Sequence, residues 1–296
     1  MLIFALGKGV KMENLGENIV RNRIFPKWWD ILVMLLLFAL AQMVFGAVLQ
    51  AMGIVAPVTS SVDAVDIETF MNEQHALGRH AAMVHILSFS FSIFVLWFYA
   101  RIRGGKRVIQ IRHKASGFNP SVLLVGVVWL LASQIILEPL LELLPSDSGH
   151  GFGRGVWAAI TAVVSAPILE EVLCRGVLFE VLNKRCGVKT SILISALFFG
   201  MLHFSVANAI VAIVAGLIFG VLYVRTSSLY ATIIIHAINN SLALALIGFG
   251  MDDISFAEML GGGTIYYVVY AIAVIVFVGA SVEAWFSVLR NKKNLD

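Results

Sequence analysis

Stretches of about 20 apolar residues, separated by short polar segments, recur along the chain from residue 28 onward. A helix of ~20 apolar residues is long enough to cross the ~30 Å hydrocarbon core of a bilayer. The pattern therefore predicts an all-α, polytopic integral membrane protein with about eight transmembrane helices. We expect the spans at residues 28–53, 81–100, 120–144, 156–182, 190–204, 207–224, 229–249 and 264–289.

Composition supports this fold class. Of the 296 residues, 59% are hydrophobic and only 13% are charged, whereas soluble domains carry about 25% charged residues. No long polar segment remains to form a soluble domain, so we expect a single membrane domain. The two cysteines predict neither a disulfide framework nor a metal-binding spacing. Apolar residues 1–6 lack a preceding basic region and a cleavage site, so we expect no signal peptide.

The placement of basic residues predicts the orientation of the chain. If the N-terminus is inside, the outer loops hold only Arg79 and Arg154 among the basic residues, while nearly all others fall in inner segments. Cytoplasmic loops of membrane proteins are enriched in Lys and Arg. We therefore expect an even number of spans and both termini in the cytoplasm.

The fourth span contains three ionisable residues, Glu170, Glu171 and Arg175. A charge at the centre of a membrane helix costs about 2.5–3.5 kcal/mol on the insertion scale, so such groups usually face the protein interior and serve a function. Glu171 and Arg175 are four residues apart and can pair on one helix face. Glu170 is rotated by ~100° from its neighbour and can face a cavity. The alternative is a polar network that only holds helices together.

Two later spans supply further polar residues at similar depth. The fifth span carries Phe199 and His203, and the seventh carries His236 and Asn240 on one face. Either group alone is explained by interhelical hydrogen bonding. At ~1.5 Å per residue, these residues and Glu170 lie roughly 11–21 Å from the inner ends of their helices. We therefore expect them to meet within the bilayer.

This set of side chains suits hydrolysis by an activated water. A carboxylate beside an imidazole can take a proton from water, and an amide with a second histidine can stabilise an oxyanion. Zinc is an open alternative, because two histidines and a glutamate form a catalytic ligand set. The HExxH spacing is missing, which makes the metal interpretation weaker. We expect no metal and no other cofactor.

Three segments resemble the motifs of the CAAX protease and bacteriocin-processing family, also called the Abi family. The family motifs EExxxR, FxxxH and HxxxN/D read here Glu170-Glu171 to Arg175, Phe199 to His203 and His236 to Asn240. The resemblance covers about residues 122–248. It implies an intramembrane endopeptidase similar to the type II CAAX prenyl endopeptidases, which use a glutamate and remove the last three residues of prenylated proteins. Many bacterial relatives process or resist bacteriocins instead.

The resemblance also implies roles for single residues. Glu170 would be the general base with His203 assisting, and His236 with Asn240 would form the oxyanion hole. The supporting residues would be Glu171, Arg175 and Phe199. Cys174 departs from the bulky apolar residue that the family commonly has before the arginine, which bears on the shape of the pocket and not on the chemistry.

Together these patterns predict four segments. Residues 1–27 form a cytoplasmic N-terminal segment, and residues 28–119 form two transmembrane helices with a basic cytoplasmic loop. Residues 120–250 form a catalytic core like that of the family. Residues 251–296 form an outer loop, the last transmembrane helix and a cytoplasmic tail.

Other polar groups lie outside the motifs. We expect Glu138 and Glu142 to extend to the outer interface, and the basic stretch 106–114 to stay on the inner side, where it can also attract anionic lipids. Three histidines lie at the outer edge of the second span, where we expect no metal site: His75, His80 and His85.

We expect the substrate to be a membrane-anchored protein or peptide within the lipid bilayer, and no nucleic-acid partner. The bacterial plasma membrane is the expected location. Two alternatives from other classes stay open. One is a catalytically idle relative that acts as a bacteriocin immunity or scaffold protein. The other is a proton- or ion-coupled transporter that uses the same buried charges.

Overall fold

A computed structural model of the protein describes residues 25–53, 67–105, 109–114, 119–144, 155–203, 205–251 and 254–291. Most of the predicted N-terminal segment, the basic residues 106–107 and the C-terminal tail lie outside the described residues. Within those ranges the chain is almost entirely helical. Its helices are α1 (Trp28–Ala51), α2 (Ile67–Gly104), α3 (Pro120–Leu141), α4 (Val156–Met201), α5 (Val206–Thr226), α6 (Leu229–Gly248), α7 (Phe256–Met259) and α8 (Gly263–Asn291).

Seven of these helices are long and apolar enough to cross a membrane. The predicted all-α, polytopic membrane fold is thereby confirmed. Seven helices cover the eight predicted spans because α4 joins the fourth and fifth of them in one 46-residue helix. At ~1.5 Å per residue it is about 69 Å long, more than twice the hydrocarbon thickness. Gly187, with φ 73° and ψ 169°, breaks it into two arms. Glycine adopts this positive φ without the steric cost of a side chain.

The first arm of α4 is irregular around the predicted glutamates. An α-helical turn, Ala166–Glu171, lies between two π-helical stretches, Thr161–Ser165 and Val172–Phe179. π-Helical stretches are rare and occur often at functional sites. Both glutamates of the first motif therefore lie on a short α-helical turn that has a π-helical stretch on either side.

One apolar core joins the first two helices to α4. Met34 and Phe38 of α1 and Phe89 of α2 belong to the same buried cluster as Phe198 of α4. The rings of Phe38 and Phe198 meet edge to face at a centroid distance of 5.2 Å. The domain boundaries drawn from the sequence stay predictions, but residues on both sides of residue 120 share this core.

The outer surface of the bundle is apolar, as a lipid-facing surface must be. Helix α8 packs along α3 on one side and leaves most of its large apolar side chains exposed, among them Ile265, Tyr267, Ile275 and Phe286. In a soluble protein such an exposed apolar area would indicate a binding surface or aggregation. On a helix of membrane-spanning length it indicates contact with lipid.

The short segment 109–114 packs against the ends of α5 and α6. The backbone N–H of Lys114 donates to the Ser227 carbonyl at 3.0 Å, and Leu229 N–H donates to the Arg112 carbonyl at 2.9 Å. The Arg112 guanidinium donates to Glu180 at 2.9 Å. Arg112 is therefore paired with Glu180 and only 14% exposed, so the suggestion that the basic stretch attracts lipid headgroups is wrong for this residue.

The prediction that Glu138 extends to the interface is also wrong. Its side chain is buried, and its carboxylate accepts a hydrogen bond from the backbone N–H of Phe256 at the start of α7. The segment after α6 folds back over the end of α3 and covers Glu138. Glu142, one turn further along, is exposed as expected.

Candidate active site

Glu170 lies on the α-helical turn of α4 and is 8% exposed. Its two carboxylate oxygens face two different imidazoles. Oε1 is 3.4 Å from Nε2 of His85 on α2, and Oε2 is 4.0 Å from Nε2 of His236 on α6. The carboxylate therefore has histidine neighbours on both sides, at distances longer than those of a tight ion pair.

Glu171 and Arg175 form the ion pair that their spacing predicted. Arg175 Nη1 donates to Glu171 Oε1 at 2.8 Å, and both side chains are completely buried. Arg175 Nη2 donates to the Gly216 carbonyl of α5 at 2.8 Å. A Cβ on Gly216 would lie 3.0 Å from the Cα of Ala196, so the glycine allows α5 to approach the second arm of α4. The arginine thus links the first arm of α4 to α5.

His236 lies between the two glutamates. Its Nδ1 is 3.3 Å from Glu171 Oε1, and its ring stacks on Phe219 at a centroid distance of 4.9 Å. Glu171 is paired with a guanidinium and acts only as an acceptor, so Nδ1 must carry the proton. This hydrogen bond and the stacking fix the ring with Nε2 directed toward Glu170.

Phe199, the aromatic residue of the second motif, lies at the centre of the site. Its ring lies under the guanidinium of Arg175 at 4.9 Å. It also meets the rings of His203 at 5.2 Å and His236 at 5.6 Å, both edge to face. A guanidinium over an aromatic face is favourable. Phe199 therefore packs against two of the predicted catalytic histidines and the arginine at once.

His203 follows the end of α4 and is partly buried. Its Nδ1 is 3.0 Å from the Phe199 carbonyl. A carbonyl only accepts, so Nδ1 carries the proton and the neutral ring has an open lone pair on Nε2. Among the described residues, His203 makes no hydrogen bond or ion pair with Glu170. It lies close to the site through Phe199.

Asn240 takes part in a chain of amides. Its Nδ2 donates to the Ala162 carbonyl of α4 at 2.9 Å, and its Oδ1 accepts from Asn239. Asn239 in turn accepts from Gln134 of α3 at 2.6 Å. Asn240 therefore joins α6 to the first π-helical stretch of α4, and one of its two amide hydrogens is left for another acceptor.

His85 is the residue that the sequence interpretation missed. The sequence pattern placed it at the outer edge of a span that begins at residue 81. Helix α2 instead begins at Ile67, so His85 lies ~27 Å along the helix at 1.5 Å per residue. It is buried and directed at Glu170. Its spacing within α2 carries no signal, because its partner is 85 residues away.

The zinc alternative needs three side-chain ligands around one point. Across the described ranges, no group of three or more His, Cys, Asp or Glu side chains is arranged to hold a metal ion. A zinc ligand nitrogen or oxygen lies about 2.0–2.2 Å from the ion. The imidazoles around Glu170 are instead oriented by Glu171 and by a backbone carbonyl.

Comparison with known proteins supports the predicted resemblance. The sequence model of the family "Type II CAAX prenyl endopeptidase Rce1-like" matches residues 152–242, a stretch that holds all three motifs. A Bacillus subtilis (strain 168) protein named "Putative membrane peptidase YdiL" is 28% identical over 87 residues. These residues make up 29% of this chain and 36% of the relative, so the match spans about a third of that protein. No solved structure matches the chain significantly. The resemblance to a CAAX-protease-like family of membrane peptidases is confirmed.

Proposed function

We propose that this protein is an intramembrane endopeptidase in which Glu170 activates the attacking water. One observation carries the proposal. Glu170 is buried with an imidazole near each carboxylate oxygen, and no Arg or Lys of the described ranges lies within ion-pair distance of it. The guanidinium of Arg175 is bound to Glu171 instead. Glu170 is therefore the carboxylate that is left to act as a base.

The proposed reaction is hydrolysis of a peptide bond. Glu170 takes a proton from water while the water oxygen bonds to the carbonyl carbon. The carbon–nitrogen bond then breaks, and the proton passes from Glu170 to the leaving nitrogen. His203 assists by accepting a hydrogen bond on its open Nε2. Glu170 ends each cycle ionised, so no cofactor is consumed.

His236 and Asn240 are proposed as the oxyanion hole. Asn240 has one amide hydrogen that is not used by the Ala162 carbonyl. Nδ1 of His236 is 3.3 Å from Glu171 and Nε2 is 4.0 Å from Glu170, and an imidazolium would carry a donor on both nitrogens. Donors that are fixed before the reaction stabilise developing negative charge most effectively. Glu171, Arg175 and Phe199 would keep His236 in place.

The proposed substrate is a membrane-anchored protein or peptide. Glu170, His236 and Asn240 lie on helices of membrane-spanning length, so a scissile bond must reach them within the bilayer. The resemblance favours a substrate similar to the C-terminal CAAX sequence of a prenylated protein. A host without protein prenylation would require another lipid-anchored or transmembrane peptide.

We further propose that the protein lies in the bacterial plasma membrane with both termini in the cytoplasm. The support is the concentration of basic residues in the inner segments. A reporter that fluoresces only in the cytoplasm should fluoresce when it is fused to the C-terminus. Activity of an alkaline phosphatase fusion at the same position would contradict this orientation.

The function can be tested before the substrate is identified. C-terminal peptides of membrane proteins are compared by mass spectrometry between cells with the wild-type protein and cells with Glu170→Gln. Glu258→Gln is the matched control, since this residue lies on short α7 outside the site. We expect truncated C-termini that need Glu170 but not Glu258. Identical C-termini in all three strains would favour the idle or transporter alternatives.

A further inference from the structure

The second predicted helix contributes a buried histidine to the site. His85 lies outside the stretch that matches the family, and its Nε2 is 3.4 Å from Glu170 Oε1. The side chains of His85 and Glu170 are 9% and 11% exposed. An ionised carboxylate only accepts, so the contact requires a proton on Nε2 of His85.

Stacking on Phe89 and the packing of α1 against α2 hold His85 in this position. Its ring stacks on Phe89, one turn later in α2, at a centroid distance of 4.3 Å and an interplanar angle of 23°. Phe89 packs edge to face on Phe38 of α1. Gln42 of α1 donates to Ser92 of α2 at 3.1 Å. Helix α1 thus fixes the rotation of α2 that directs His85 at Glu170.

A purely structural histidine usually satisfies both ring nitrogens when it is buried. In His85, Nδ1 is buried and has no hydrogen-bond partner among the described residues. The single polar contact of this side chain that the structure describes is the one to Glu170. The described polar contact of this buried imidazole is therefore directed at one carboxylate, that of Glu170.

We propose that His85 is a positioning residue for the water-activating glutamate. Its Nε2–H holds Oε1 of Glu170, which directs Oε2 toward the side of the site where His236 lies. This proposal rests on the proposed function, since it gives Glu170 the role of base. It also makes α2 part of the active site, although α2 lies outside the matched segment 152–242.

The contact itself can be tested without a substrate by a double-mutant cycle. Unfolding midpoints of the purified protein in detergent are measured for His85→Phe, for Glu170→Gln and for the double variant. Phenylalanine keeps the stacking on Phe89 but removes the donor. We expect the two shifts to be non-additive by about 2 °C or more, the size expected for a hydrogen bond to a charged group. Additive shifts would show that the side chains do not interact.

The positioning role is tested by three replacements of His85. Glutamine places an amide donor near the position of Nε2, asparagine places it near Nδ1, and phenylalanine has no donor. We expect His85→Phe and His85→Asn to lower kcat by about 10–100-fold with little change in KM, because a misplaced base slows chemistry more than binding. His85→Gln should keep kcat within about threefold of wild type. The matched control is His80→Phe, on the same helix and without a described contact to the site.

The probe is an internally quenched peptide whose sequence comes from a C-terminus that is cut only when Glu170 is present. Equal kcat in His85→Phe and wild type, or equal losses in His85→Gln and His85→Phe, would overturn the positioning role. Should phenylalanine prevent folding, the pair of glutamine and asparagine variants makes the same distinction. Full activity in Glu170→Gln overturns the proposed function as well. Loss in Glu170→Gln together with full activity in His85→Phe overturns the role of His85 alone.

Discussion

Two buried glutamates lie ten residues apart on the first arm of α4 and have very different surroundings. Glu180 accepts hydrogen bonds at 2.9 Å from both the Arg112 guanidinium and the Tyr223 hydroxyl. Glu170 meets only imidazoles, at 3.4 and 4.0 Å. Both are buried to a similar degree, at 3% and 8% exposure. Burial therefore does not distinguish the proposed base, Glu170, from Glu180, whereas the hydrogen-bond partners of the two carboxylates do.

The partners of Glu180 explain why it is structural. Arg112 is permanently charged, and it lies over the rings of Phe179 and Tyr223 at 5.7 and 5.6 Å. A guanidinium and a phenol that both donate to a carboxylate favour its ionised form, so such a carboxylate is a poor proton acceptor. Imidazoles can gain and lose protons near neutral pH. Glu170 has imidazole neighbours and, among the described residues, no guanidinium or ammonium within ion-pair distance.

Glu171 resembles Glu180 because it is also buried and paired with an arginine, in this case Arg175. Removal of its partner by Arg175→Ala leaves a charged carboxylate unpaired in the core, so we expect a loss of about 3–5 kcal/mol in unfolding free energy. Unfolding of the purified protein in detergent measures this. The double variant Glu171→Gln/Arg175→Met should recover a large part of the stability. If Arg175→Ala unfolds like wild type, the ion pair does not support the fold.

A substitution of Asn240 tests the proposed oxyanion hole, which the comparison of the glutamates does not address. Replacement by alanine removes the proposed donor and the contact to Ala162, and we expect kcat to fall by about 10²–10³. Asn239→Ala, its neighbour on the same helix, is the matched control and should lose less. Steady-state kinetics with a Glu170-dependent peptide separates the two. Equal losses in both variants would assign Asn240 to helix packing.

Glu180→Gln tests the structural member of the comparison. The ion pair with Arg112 is lost while an amide oxygen can still accept from Tyr223, so we expect a loss of about 1–3 kcal/mol in stability. The rate per folded molecule should stay within about threefold of wild type. A rate that falls as far as in Glu170→Gln would remove the distinction between the two glutamates.

Removal of metal should have the smallest effect. In the proposed mechanism Glu170 and its histidines activate water without a metal ion. We therefore expect activity to persist after metal is stripped with a strong chelator and its removal is verified by elemental analysis. Activity that is lost on stripping and restored by one equivalent of zinc would reassign His203 and His236 as ligands.

The sequence was sufficient for local features of the site. Hydropathy predicted the membrane helices, and the four-residue spacing predicted the pair of Glu171 and Arg175 that the structure confirms. Both depend on contacts within a single helix. The similar depth of these residues along their helices also predicted that His236 would approach Glu170, and Nε2 of His236 is 4.0 Å from Oε2 of Glu170.

Contacts between distant helices could not be predicted in the same way. His85 was missed because polar residues 67–80 fall below the hydropathy of a membrane span, which placed the start of α2 too late. Glu180 and Arg112 were missed as a pair because one lies on a helix and the other in a loop 68 residues away. The two π-helical stretches of α4 were not predicted, because the pattern of apolar residues was interpreted only as regular α-helix.

The central claim is that Glu170, and not another buried acid of α4, activates water. The most direct test is the initial rate of peptide cleavage by purified Glu170→Gln in proteoliposomes, normalised to folded protein and measured beside Glu180→Gln. Loss of a general base typically costs about 10²–10⁴ in rate. We predict a fall to the background rate in Glu170→Gln, although this variant still folds and unfolds cooperatively, and a near-normal rate in Glu180→Gln. Cleavage by folded Glu170→Gln at a rate close to that of wild type would contradict the account.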